Sequence, residues 1–194
     1  MINENFVYLG LAIGSIGGII YLIYTLQGKV RPNRVTWFLW GLAPLIAFAA
    51  EVKQGIGPIA LFTFINGFFP LLIFIASFLN KKSYWEISRF DKICGVIALG
   101  GLILWQLTGV GNIAILFSIF ADGMAALPTI IKSYRHPESE NAFAYLTAAV
   151  GGIITLLTIK QWNFATYGFP IYIFIACSIL TILIQFKIGK KLAK

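Results

Sequence analysis

In the stretch "LFSIFADGMAALPTI", residues 116–130, Asp122 is the one charged side chain in a run otherwise suited to hydrocarbon. A charge at the centre of a bilayer costs at least ~2.5–3.5 kcal/mol on insertion scales, so such an acid should face a cavity or a partner. With no basic residue in the same run, it could hold a solute hydroxyl or carry a proton. Counting in from the helix ends at ~1.5 Å per residue, Ser15, Asn66 and Tyr172 reach a similar depth, which makes these four the most economical polar centre. "TWFLWG" sets Trp37 and Trp40 three residues apart and hence on one helical face. Trp37, about one turn in, reads as an interfacial belt residue. Trp40, roughly 9 Å deep, can stack on a ring-shaped solute or gate the space below it.

Prolines give a second signal. Pro44, Pro70, Pro128 and Pro170 all fall inside apolar runs. Each lacks an N–H and leaves the carbonyl four residues earlier, on Trp40, Asn66, Met124 and Thr166, without its usual partner. These are hinge candidates, joined by Gly151, which occupies the place in the second half of the chain that Pro44 occupies in the first. Gly14, Gly17 and Gly18, with Gly123, Ala125 and Ala126, permit close helix approach.

Other chemistries find no footing. His136 is the only histidine and has no His or Cys neighbour at metal-ligand spacing, so neither a metal site nor a cofactor is expected. Cys94 and Cys177 lie in apolar runs and behave as small hydrophobes. An enzyme is not indicated: there is no H-E-x-x-H, no carboxylate pair in the interior and no histidine to serve Ser or Cys. A retinal protein would need a lysine deep in the last helix, which has none before Lys187.

The elements that must position these residues follow from composition. The 194 residues are 59% hydrophobic and 11% charged, more apolar surface than a water-soluble domain of this size hides. Charges occur in clumps that leave apolar runs long enough to cross a ~30 Å hydrocarbon core. The run from 93 to 131 is too long for one span and carries a turn signal at Thr108-Gly109-Val110-Gly111-Asn112. The expectation is an all-α membrane protein of seven transmembrane helices, at 6–26, 34–50, 56–79, 93–108, 112–132, 142–159 and 163–186, forming one domain. "MINENF" lacks a basic start and no cleavage site follows the first run, which reads as a retained helix.

The net charge of +8 is a matter of topology and not of nucleic acid. The loops after helices 1, 3 and 5 and the C-terminal tail hold 13 of the Lys and Arg residues, and the opposite face holds only Lys53 and Lys160. By the positive-inside rule the chain is a multi-pass protein of the cell membrane, its N-terminus outside and its C-terminus in the cytoplasm.

Laying residue n on n+107 places helices 1–3 over helices 5–7. "LQGKVRPNR" then falls on "YRHPESEN", and "VKQ" at 52–54 on "IKQ" at 159–161. "FPLLIFIA" at 69–76 and "FPIYIFIA" at 169–176 agree better still at an offset of 100, and both registers stay open. Three helices invert a chain, so a fourth must intervene for the copies to share an orientation. The pattern is 3+1+3: repeat one at 6–79, a linker helix at 93–108 and repeat two at 112–186.

"LPTIIKSYRHPESENAFAYLTA", residues 127–148, resembles the second motif of PQ-loop proteins: a proline near the end of a repeat's first helix, a basic loop, then an aromatic-bearing helix. That superfamily includes the SWEET sugar transporters and, by fold, vitamin transporters of the PnuC type and the ER-retention receptors. The resemblance implies parallel three-helix repeats related by an axis along the membrane normal. It also implies an alternating-access transporter of a small neutral solute, a sugar or similar, with Asp122 touching the solute or coupling its movement to protons. The alternative is a seven-helix receptor or sensor that binds a small ligand or peptide without transport. The partners expected are a small-molecule solute and the lipid bilayer.

Overall fold

The computed structural model describes residues 2–108 and 111–192, with the side chains of 104–108 outside the description. Among the described residues the regular structure is entirely helical. It comprises α1 (Phe6–Gln27), α2 (Arg34–Lys53), α3 (Ile59–Ala76), α4 (Arg89–Thr108), α5 (Gly111–Arg135), α6 (Ala142–Thr158), α7 (Phe164–Phe186) and a short α8 (Ile188–Leu192). The expected turn between α4 and α5 falls on Gly109 and Val110, outside the described residues. Five helices, α1, α2, α3, α5 and α7, are long and apolar enough to cross a membrane; α6 is apolar but has 17 residues. α4 opens on the charged sequence Arg89-Phe90-Asp91-Lys92.

Local chemistry explains where these helices begin and end. Pro32 precedes Asn33, whose side chain accepts from the Val35 and Thr36 amides at 3.0 and 3.3 Å and caps α2. Asn141 caps α6 in the same way, accepting from Ala144 N at 3.0 Å. Asn163 and Thr166 form a reciprocal capping box at the start of α7. α1 stops at Gly28, whose φ of 74° lets its amide turn back to the last carbonyls. α2, α3, α5 and α7 each continue through their internal proline.

The burial pattern is that of a molecule solvated by lipid. Large aliphatics point outward, as with Val96 and Ile103 on α4 at 70% and 64% exposed. Small residues point inward: Ala43, Ala47 and Ala50 on α2 and Ala121 and Ala125 on α5 are buried. Small contacts let helix backbones approach closely where no solvent drives them together. Gly151 shows the limit, since a Cβ there would lie 2.8 Å from the Gly10 carbonyl oxygen on α1. That places Gly151 at a tight helix crossing.

α1 packs on α6 and α3; α2 on α3 and α5; α6 on α7; α5 on α7. α4 leans on α5 and touches α2 only lightly. The loops after α1, α3 and α5 gather at one end, hereafter the basic end. There Ser83 donates to the Thr25 carbonyl, Asn80 Nδ2 to Leu26 O at 2.8 Å, and Lys190 pairs with Glu138 at 2.7 Å. At the other end Ile2 N donates to Leu157 O at 3.0 Å and Lys160 meets Glu4 at 2.9 Å.

Candidate functional site

A cavity of about 90 Å³ lies among α1, α2, α3, α5, α6 and α7. Its wall includes Asp122, Asn66, Trp40, Tyr172 and Pro70 from the residues singled out by sequence. Asp122, midway along α5, is only 3% exposed. Its Oδ2 accepts from the Tyr172 hydroxyl on α7 at 2.6 Å. Its backbone oxygen accepts from Trp40 Nε1 on α2 at 3.2 Å. One residue thus ties three helices together. Among the described residues no Lys or Arg forms an ion pair with it, and no group of His, Cys, Asp and Glu could hold a metal.

Asn66 lines the cavity and turns its Nδ2 back to Phe62 O at 2.8 Å. Ser15 is half-buried and does not line the cavity. The stripe of α1 that does is Gly14, Gly18 and Tyr21, spaced by four and three residues, and Ser15 stands about 100° round the helix from Gly14. Depth was right for this residue and facing was not. The hinge candidates Pro44, Pro128 and Pro170 are buried within unbroken helices.

Trp37 departs from the belt expectation. It is 4% exposed and packs on Tyr21, ring centroids 4.4 Å apart. Trp40 follows at 5.3 Å from Trp37, and Tyr145 stands 6.2 Å from both Tyr21 and Trp40. These four rings close the cavity on its basic side. Trp162, by contrast, is exposed, and the side chain of Trp105 lies outside the described residues.

Behind the rings is a charge cluster that sequence reasoning missed. Lys132 on α5 forms a buried ion pair with Glu140, whose other oxygen accepts from Tyr21 OH at 2.7 Å and Tyr145 OH at 2.8 Å. Lys132 also donates to the Arg31 carbonyl and lies 4.8 Å from the centre of the Trp85 ring. A buried pair is tolerable when further hydrogen bonds satisfy its charged atoms, and here the two tyrosine hydroxyls serve Glu140 Oε2 and the Arg31 carbonyl serves Lys132. Toward the opposite end, Glu51 is also buried, accepting from Thr63 Oγ1 at 3.0 Å. The interior therefore holds more than one acid. Their only sequence signal was apolar neighbours on one side of a flanking charge.

The arrangement defines an all-helical protein with membrane-spanning helices around a small polar-tipped, aromatic-walled cavity. No protein-family model, curated protein or solved structure matches the chain.

Proposed function

We propose that the protein is an alternating-access transporter of a small neutral solute, of the PQ-loop and SWEET-like kind, with seven transmembrane helices in a 3+1+3 arrangement. The observation that carries the reading is the cavity: its wall draws on α1, α2 and α3 and equally on α5, α6 and α7. The packing pattern supports it. Exchanging α1, α2 and α3 for α5, α6 and α7 turns the α1–α6 contact into α5–α2, α1–α3 into α5–α7 and α2–α3 into α6–α7, each of which exists. Such self-mapping is what two parallel repeats about an axis along the membrane normal produce.

Pockets that enclose drug-sized ligands run to about 300–1,000 Å³. At about 90 Å³ the cavity is contracted, and loading it requires the halves to part. The aromatic rings and the Lys132–Glu140 pair close the basic end, which the positive-inside rule assigns to the cytoplasm. In this reading Trp40 stacks on the solute, Asn66 and Asp122 bond its hydroxyls, and sugars are the first class to try.

The test is counterflow in proteoliposomes preloaded with a series of unlabelled hexoses, nucleosides and amino acids. Saturable exchange of one class, weakened at least tenfold by Asn66→Ala, supports transport. Saturable binding without exchange would favour a receptor or sensor instead.

A further inference from the structure

α4 packs on α5 and, among the described residues, makes no contact with α3. Between them opens a cleft of about 590 Å³, floored by α2 and walled by Phe38, Phe74, Phe78, Val96 and Leu99. It belongs to neither the cavity nor its gate.

Two cations stand at its mouth, both at the basic end. Arg34 opens α2 and Lys92 lies in the first turn of α4. Arg34 is held in place: Nε donates to Ser77 Oγ at 3.1 Å, Nη2 donates to Ser77 O at 2.8 Å, and the guanidinium lies 4.0 Å from the Phe78 ring centre and 5.0 Å from that of Tyr84. These contacts use two of its five N–H donors. Lys92 is exposed and, among the described residues, its ammonium has neither an ion-pair nor a hydrogen-bond partner. The nearest acid in sequence, Asp91, is occupied by the Ser88 amide at 2.8 Å.

We propose that this cleft is a binding site for one anionic phospholipid, its phosphate between Arg34 and Lys92 and an acyl chain laid along the α3–α4 gap. The division of the site is the argument. Cations occupy the level of the helix ends, and from there Phe38, Phe74, Val96 and Leu99 carry an apolar wall one to two turns deeper, about 5–11 Å. A lipid is the ligand whose charge and hydrocarbon are divided in that order and at that spacing. Basic pockets between membrane helices hold anionic head groups by the same logic. A second copy of the chain fits poorly, because it would bring its own lysines and arginines to the same level. A soluble anion would leave the apolar wall uncovered.

The experiment uses the full chain in nanodiscs of phosphatidylcholine with and without phosphatidylglycerol of matched acyl chains, followed by native mass spectrometry and thermal unfolding. The wild type should retain one phosphatidylglycerol per chain in preference to phosphatidylcholine and unfold at higher temperature when it is present. Lys92→Gln, at an exposed position that does not threaten folding, should weaken that preference about fivefold. Leu99→Trp should expel the lipid by filling the cleft while leaving both cations in place. Glycerol phosphate alone should not reproduce the shift. Equal retention of the two lipids by the wild type, unchanged retention in Lys92→Gln, an equal effect of glycerol phosphate, or a dimer joined through this face would each overturn the proposal. None of these readouts depends on solute transport, so the two readings fail separately.

Discussion

Tyr21 on α1 donates its hydroxyl to Glu140 Oε2 at 2.7 Å, and Glu140 is at the same time the buried partner of Lys132 on α5. Through one carboxylate α1 and α5 are fastened together, and the Tyr145 hydroxyl adds α6 at 2.8 Å. Removing one member of such a buried pair strands the other, at a typical cost of 3–5 kcal/mol, or about that here. Lys132→Met should therefore lower the unfolding temperature sharply, and Lys132→Met with Glu140→Gln should recover part of the loss. Additive losses in the double variant, measured by thermal unfolding, would show that the two residues do not act as a pair.

The rings above this latch give a conformational prediction. Trp37, Trp40, Tyr21 and Tyr145 pack edge to face or tilted, an arrangement worth about 0.5–1.5 kcal/mol per pair beyond area burial. Tyr21→Phe keeps the ring and removes only the hydroxyl that holds Glu140. It should ease opening at the basic end, seen as faster modification of Cys177, which lines the cavity, by a thiol reagent added from that side. Unchanged modification would assign the hydroxyl to stability alone.

The helices were legible in the sequence because charge clumps and asparagine caps punctuate apolar runs, as at Asn33 and Asn141. Asp122, Asn66, Trp40 and Tyr172 were found by depth, and the structure brings them to one cavity. Depth says nothing of facing, however. Ser15 shares their level and looks elsewhere, and Trp37 at belt depth turns inward to Tyr21. Glu51, Lys132 and Glu140 were hidden for a related reason: near a helix end a charge reads as a solvated flank, and only the fold shows what covers it.

Sidedness can be tested at exposed positions. Single cysteines at Lys81, on the basic end, and at Gln161, on the other, in a background without Cys94 and Cys177, should react from opposite sides of intact cells, Gln161→Cys from outside. Ser139 would be a poor choice because it is buried with its hydroxyl on His136 O at 2.7 Å. Labelling of Lys81→Cys from outside would reverse the topology.

The C-terminal helix offers a test by pH. The hydrogen bond from Lys190 holds the Glu138 carboxyl below the usual glutamate range, with its own backbone amide as a second cause. A lowered folded value means the contact contributes above the unfolded value, about 4.3, and is lost as pH falls through the folded one. Both side chains are about half exposed, so the effect is small and weakened by salt. The protection of the α8 amides, relative to their intrinsic exchange rates at each pH, should fall more on acidification in the wild type than in Glu138→Gln, in which the pair is already gone.

Asp122 carries the sharpest functional prediction. Its carboxyl is buried, faces Tyr172 and Cys177 across the cavity, and lacks a cationic partner among the described residues. A buried carboxylate so placed costs free energy unless it is protonated or paired, and intramembrane acids of this kind serve as proton carriers. Asp122→Asn keeps the shape and an oxygen to accept from Tyr172, while removing the exchangeable charge. It should leave the unfolding temperature near neutral pH equal or higher. Uptake driven by a pH gradient should disappear while solute counterflow continues. Tyr172→Phe is the contrasting variant: it leaves the acid without its hydroxyl donor, a loss of about 1–3 kcal/mol in stability, but keeps the group that titrates, so dependence on the gradient should survive. If uptake in proteoliposomes ignores both the gradient and Asp122→Asn, the aspartate binds solute or braces α5 against α7, and proton coupling is wrong.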